Sequence, residues 1–191
     1  AILEFAGANA AKAGFVHVET VTADCEALPF ADEAFDAAVC RLGLMFLPDP
    51  LKGLQEIHRV LKPGAHLCTL VFASVEANPC LRILMSTALQ YAALPPADPY
   101  RAGSLLSLGK PDHLENLFKE AGFRNCVTTR VNAPFNLPSA RAYLDFVRSS
   151  AAPVLRILAP LDAAVQEKAW AEMEARLSAF NTVSGWAGPN E

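Results

Sequence analysis

The chain has 191 residues, enough for one substantial domain with its own core and short for two. Hydrophobic residues make up 52% of it, which excludes a disordered chain; 16 Lys and Arg against 20 Asp and Glu give a formal charge of −4 with no basic run, which removes the electrostatic footprint of a nucleic-acid binder and leaves a small-molecule partner. The strongest apolar stretch, 65–73, is far below the roughly 20 residues that cross a bilayer, so no membrane span is expected.

In chain order, 3–13 is Ala-rich and reads as a helix ended by Gly14, with Lys12 in its last turn where the helix dipole favours a cation. Residue Ala1 is not an initiator, and Glu4 stands where a secretion signal carries positive charge, so the start reads as the boundary of a longer protein. The β-branched run 15–22 predicts a strand that stops at Asp24. A loop with Pro29, Asp32 and Glu33 follows, and then a short apolar strand at 35–40 of the kind buried on both faces.

Pro48-Asp49-Pro50 opens a helix with Leu51, Leu54, Ile57 and Leu61 on one face, and Lys62-Pro63-Gly64 stops it. A third strand is expected at 65–73. The segment 78–93 reads as helix, and the Pro- and Gly-containing run up to Gly109 is longer than a connection requires, which suggests a lid. A further helix at 111–121 ends at Gly122, followed by a fourth strand at 123–131. Residues 139–148 form a helix entered through Pro138, and Leu161, Val165, Ala169, Met173, Leu177 and Phe180 mark a long amphipathic one. No strand is expected after it. Strands alternating with helices predict a parallel, doubly wound α/β sheet with right-handed crossovers.

The five cysteines, Cys25, Cys40, Cys68, Cys80 and Cys126, are odd in number and form no C-x-x-C pair, which argues for reduced thiols in a cytoplasmic protein and against a zinc site. No metal is expected. Open parallel sheets bind ligands outside the carboxyl ends of their strands, where Asp24 and Arg41 fall. A strand-end carboxylate followed by a backbone N–H is the pair that reads an adenine edge, and Asp24 with Cys25 supplies it; equally, Asp24 is a cap for the turn that follows. Met45 and Phe46 read as core residues, Glu56 and Arg59 as a structural ion pair, and His17 and His113 as ordinary histidines. No catalytic residue is assigned.

The segment Ala23-Asp24-Cys25-Glu26-Ala27-Leu28-Pro29-Phe30-Ala31-Asp32-Glu33-Ala34-Phe35-Asp36 resembles the D-A-x-x-L-P-F-x-D-x-x-F-D stretch of class I S-adenosylmethionine-dependent methyltransferases, in particular the type 11, ubiquinone/menaquinone-biosynthesis family. Leu44-Met45-Phe46-Leu47-Pro48-Asp49-Pro50, the run from Glu56 through Arg59-Val60-Leu61-Lys62-Pro63-Gly64, and Leu114 to Phe123 with its L-x-x-L-F-x-x-A-G-F pattern extend the resemblance in order and spacing. Ala65 replaces the family's second Gly and Cys25 its usual Ala.

The resemblance implies a Rossmann-like doubly wound sheet that is incomplete, its first two strands and last strand missing together with the glycine-rich cofactor loop and the ribose-binding acid. It implies a partial methyltransferase core over 1–135 with a lid insertion at 78–109, and a C-terminal helical segment of the same domain over 136–191. In the family sheet the missing strands lie between 16–23 and 35–40, so either a gap or a direct pairing of those two is expected. The implied cofactor is S-adenosylmethionine, with Asp24 at the adenine amino group, the Cys25 backbone at the ring, and Arg41, Leu42 and Gly43 along the methionine end. The implied reaction is methyl transfer to a small molecule by the intact parent, this chain alone being inactive. The alternatives are a non-catalytic interaction module that docks through the long helix, and a nicotinamide-dependent dehydrogenase, for which no Tyr-x-x-x-Lys is present.

Overall fold

A computed structural model of the chain describes residues 2–191. Helix α1 (Ile2–Lys12) leads to strand β1 (Phe35–Arg41), a single 3-10 turn (Leu44–Phe46), helix α2 (Pro50–Val60) and strand β2 (Leu61–Leu70). Helices α3 (Pro79–Tyr91) and α4 (His113–Glu120) follow, then a short strand β3 (Phe135–Leu137). The C-terminal third contains α5 (Ala140–Ser150), α6 (Ala152–Leu158), α7 (Ala163–Leu177), and strands β4 (Asn181–Thr182) and β5 (Gly185–Gly188).

Strands β1 and β2 pair in parallel, Ala37 opposite His66 through Arg41 opposite Leu70, with a register shift between Phe35 and Ala37. Helix α2 is the crossover between them. Asp49 caps it by accepting from the Lys52 N–H at 3.1 Å, and Pro50 takes the first turn, where a missing N–H costs nothing. Gly122, at φ +98°, ends α4 in the left-handed region that a side chain disfavours.

Two expected strands do not form. Segments 16–23 and 123–131 belong to no ladder among the described residues, and Val16, Val18, Val127 and Val131 are exposed. A strand is completed by lateral hydrogen bonds to a neighbour, and no described segment lies in register beside either. For 16–23 the outcome is the gap rather than direct pairing with β1. The third expected strand runs 61–70 rather than 65–73.

Two apolar clusters organise the rest. The first gathers Leu44, Met45, Leu54, Leu108 and Ala121 between the parallel pair, α2 and α4. The second joins α3 to α5, α6 and α7 around Tyr143, Leu144, Met173, Leu177 and Trp186. The stripe of the long helix packs here against other helices. An antiparallel sheet of order β3-β5-β4 closes this end, although the sequence predicts no strand there. Its Trp186 stacks on Tyr143 at 4.9 Å and donates its indole N–H to the Leu177 carbonyl at 2.7 Å. Among the described residues no helix is long and apolar enough to cross a membrane.

Candidate cofactor site

The carboxyl end of the parallel pair is shaped by Arg41, Leu42 and Gly43. The Leu42 N–H donates to the Leu70 carbonyl at 2.9 Å, which extends the ladder by one bond, and Leu42 then adopts φ +56°. A leucine held in this region stores on the order of 1 kcal/mol of backbone strain or more, and such strain tends to gather where a chain must turn sharply at a site. The turn sends Leu44 and Met45 into the core, each 1% exposed. The Met45 carbonyl accepts from the Ser107 hydroxyl at 2.7 Å, which ties the segment after α3 to this strand end.

Phe46 differs from the core residue expected: it is 52% exposed, because the 3-10 turn directs only two of its three side chains inward. Arg41 is also exposed, and Gly43 lies close to Cys40, whose Sγ would be 3.2 Å from an added Cβ.

The loop that carries Asp24 is held along α2 by two carboxylates. Glu26 accepts from the Asp49 N–H at 2.9 Å, just after the 3-10 turn, and Glu56 accepts from the Leu28 N–H at 2.8 Å. Arg59 completes the clamp by reaching the carbonyls of Leu28 and Phe30 and the carboxylates of Glu56 and Asp32. The pair expected to be structural is thus the centre of a network that fastens the loop to α2. Gly53 gives the close approach, since an added Cβ would meet the Leu47 side chain and lie 3.9 Å from the Cys25 carbonyl.

Asp24 makes the turn cap that the sequence allowed: its Oδ1 accepts from the Glu26 N–H at 2.9 Å, and its carbonyl from the Ala27 N–H at 3.0 Å. A carboxylate has a second oxygen, and among the described residues nothing donates to it. The adjacent Cys25 N–H is likewise unspent among the described residues, and both residues are exposed. An exposed acceptor and an exposed donor therefore stand one residue apart on one turn. His17 is exposed away from any ladder, and His113 begins α4, so neither meets this turn through a hydrogen bond. Among the described residues no group of His, Cys, Asp and Glu is placed to hold a metal.

A parallel pair with a helical crossover, followed by C-terminal helices, defines a Rossmann-like α/β chain. Residues 1–69 match the family described as "Methyltransferase domain". It is 34% identical over 119 residues to the ubiquinone/menaquinone biosynthesis C-methyltransferase UbiE of Klebsiella pneumoniae, a match covering 57% of this chain and 47% of that protein. It is 31% identical over 114 residues to the demethylmenaquinone methyltransferase of Paenarthrobacter aurescens, covering 56% and 45%. The chain thus spans about half the length of the curated relatives it matches.

Two solved structures share the fold. A Bacillus halodurans protein assigned as a methyltransferase superposes with a TM-score of 0.58 at 21% identity, over 87% of this chain and 68% of that one. The YcgJ protein of Bacillus subtilis gives 0.54 at 18%, over 87% and 67%.

Proposed function

We propose that this chain supplies the adenine-binding side of an S-adenosylmethionine site, and that the parent protein transfers the cofactor's methyl group to a small-molecule acceptor in the cytoplasm. The observation that carries the reading is the adjacent pair of unspent groups, the second Asp24 oxygen and the Cys25 N–H, on a turn clamped to α2. An adenine edge offers an amine donor beside a ring-nitrogen acceptor, the complement of that pair.

Asp24 accepts the adenine amino group and Cys25 donates its backbone N–H to the ring. Arg41, Leu42 and Gly43 line the methionine end, where the left-handed Leu42 opens the strand toward the ligand. Exposed Phe46 follows directly and offers an apolar surface to an acceptor. When bound, the cofactor supplies an already activated methyl group, so the protein's work is alignment and exclusion of water. Alignment by itself can supply about 7–11 kcal/mol of the barrier. This demands little of acid or base side chains, in keeping with the absence of an assigned catalytic residue.

Helix α3, inside the segment read as a lid, packs on α6 and α7, so 78–109 and 136–191 act together as the cover over the acceptor side. The test is transfer of labelled methyl from S-adenosylmethionine by the parent protein to a panel of small acceptors that begins with quinone precursors, repeated with Asp24→Asn. Transfer lost together with cofactor affinity in the variant supports the assignment. Transfer at the wild-type rate and affinity in Asp24→Asn removes Asp24 from the site.

A further inference from the structure

We propose that Ser107 is a positioning residue for methyl transfer: its hydroxyl fixes the 3-10 turn that follows β1, and through that turn it aligns the methionine end of the cofactor. The inference rests on the cofactor site proposed above, and it starts from a hydrogen bond that the main chain cannot make. In a 3-10 turn each carbonyl accepts from the N–H three residues on. The Phe46 N–H donates to the Gly43 carbonyl at 3.0 Å and the Leu47 N–H to the Leu44 carbonyl at 3.3 Å, so the next donor in the series would be residue 48. Pro48 has no N–H, and a proline also disfavours a helical residue before it; Leu47 accordingly leaves the turn in extended geometry, at ψ 138°. The Met45 carbonyl is thus without a main-chain donor among the described residues, on a residue that is 1% exposed.

Ser107 supplies the donor from 62 residues further along the chain. Its hydroxyl reaches the Met45 carbonyl at 2.7 Å, and the residue is buried, as are Leu106 and Leu108 on either side of it in sequence. The run is held by its own turns, the Ser107 N–H donating to the Ser104 carbonyl at 3.1 Å and the Gly109 N–H to the Leu106 carbonyl at 2.9 Å. Gly109 then passes so close to the Ala73 carbonyl that any Cβ would collide with it. The Tyr100 hydroxyl accepts from the Val75 N–H at 3.2 Å and fastens the start of the same stretch to the segment after β2. Residues 100–109 therefore bridge the carboxyl ends of both parallel strands, and Ser107 joins that bridge to the turn that continues from Leu42 and Gly43.

A buried carbonyl that loses its donor must find another, and the turn has no spare N–H to offer it. Without the hydroxyl the turn gives up its fixed position, while the Asp24 loop keeps its own bonds through Glu26 and Glu56. The effect therefore falls on the alignment of the methyl end and not on the capture of adenine. A misplacement of about 1 Å at a reacting group can cost on the order of a hundredfold in rate.

The test titrates the parent protein with S-adenosylmethionine carrying an isotopically labelled methyl group and follows that group by NMR, in wild type, Ser107→Ala, Ser107→Thr and Leu108→Ala. Wild type is expected to give one methyl resonance displaced from that of the free cofactor. Ser107→Ala is expected to move it back toward the free position by more than its linewidth, with cofactor affinity kept within about threefold. Ser107→Thr keeps the hydroxyl, and a cavity of about 250 Å³ that Ser107 lines receives the added methyl, so the wild-type resonance is expected. Leu108→Ala loosens the same buried run without removing the hydrogen bond, and is expected to lower the unfolding midpoint with the resonance in place. An unmoved resonance in Ser107→Ala, or an equal displacement in Ser107→Thr or in Leu108→Ala, overturns the positioning role and leaves the cofactor site standing. Absence of a displaced resonance in the wild type overturns both.

Discussion

The Glu56 carboxylate receives the Arg59 side chain at both oxygens, Nε at Oε1 and Nη2 at Oε2, each at 2.8 Å. Planar, two-point pairing of this kind is stronger and more directional than a single contact, and here it also orients Glu56 toward the Leu28 N–H. The Arg59 guanidinium, and next the Leu28 N–H, hold the Glu56 carboxyl down at about 2, from an ordinary 4.5. Its folded-state value is depressed, so the stability it contributes is fully present above 4.5 and is lost as pH falls from 4.5 through about 2. Glu56→Gln is expected to flatten the pH dependence of the unfolding midpoint in that window. Identical slopes for the two proteins there would show that the pair does not link pH to folding.

Trp186 ties the C-terminal sheet to α7. Trp186→Phe keeps a ring beside Tyr143 but leaves the buried Leu177 carbonyl without its donor, for a loss of about 1–3 kcal/mol. Trp186→Ala removes the stack as well and is expected to cost about 3–5 kcal/mol. Urea unfolding of the three proteins measures both. Equal stability of the Phe variant and wild type would mean that the hydrogen bond adds nothing net.

Asp24→Asn separates the two uses of one side chain. Asn retains an oxygen that can accept from the Glu26 N–H, and it caps about as well as Asp, so the unfolding midpoint should hardly move. Losing a hydrogen bond from a charged acceptor costs about 1.5–3 kcal/mol, so cofactor affinity of the parent should fall roughly tenfold to a hundredfold. Calorimetric titration beside a thermal melt reads both. A lowered midpoint with unchanged affinity would leave Asp24 as a turn residue only.

The 191-residue chain by itself is expected to hold S-adenosylmethionine poorly. Its described residues provide two parallel strands and no glycine-rich loop between a strand and a helix to receive a cofactor's methionine end. Titration of the isolated chain with S-adenosylmethionine checks this. Micromolar affinity would mean that the turns around Asp24 and Leu42 suffice.

The sequence by itself determined the elements whose stabilising contacts are local. Pro48-Asp49-Pro50 and Gly122 mark helix ends through φ restriction, capping and left-handed geometry, which a few neighbouring residues decide, and α2 and α4 appear where those signals stand. The motif around Asp24 was legible too, along with the Glu56–Arg59 pair three residues apart on one helix. Tertiary structure alone decided what depends on distant partners. The runs 16–23 and 123–131 have strand composition but no ladder, because β propensity is expressed only beside a neighbour that completes the hydrogen bonds. Conversely, Phe135–Leu137 and Gly185–Gly188 became strands by pairing with each other across about fifty residues, a contact no local pattern announces. The same reason separates Met45 from Phe46: adjacent in sequence and alike in hydrophobicity, one is buried and the other exposed by the turn that Leu42 begins.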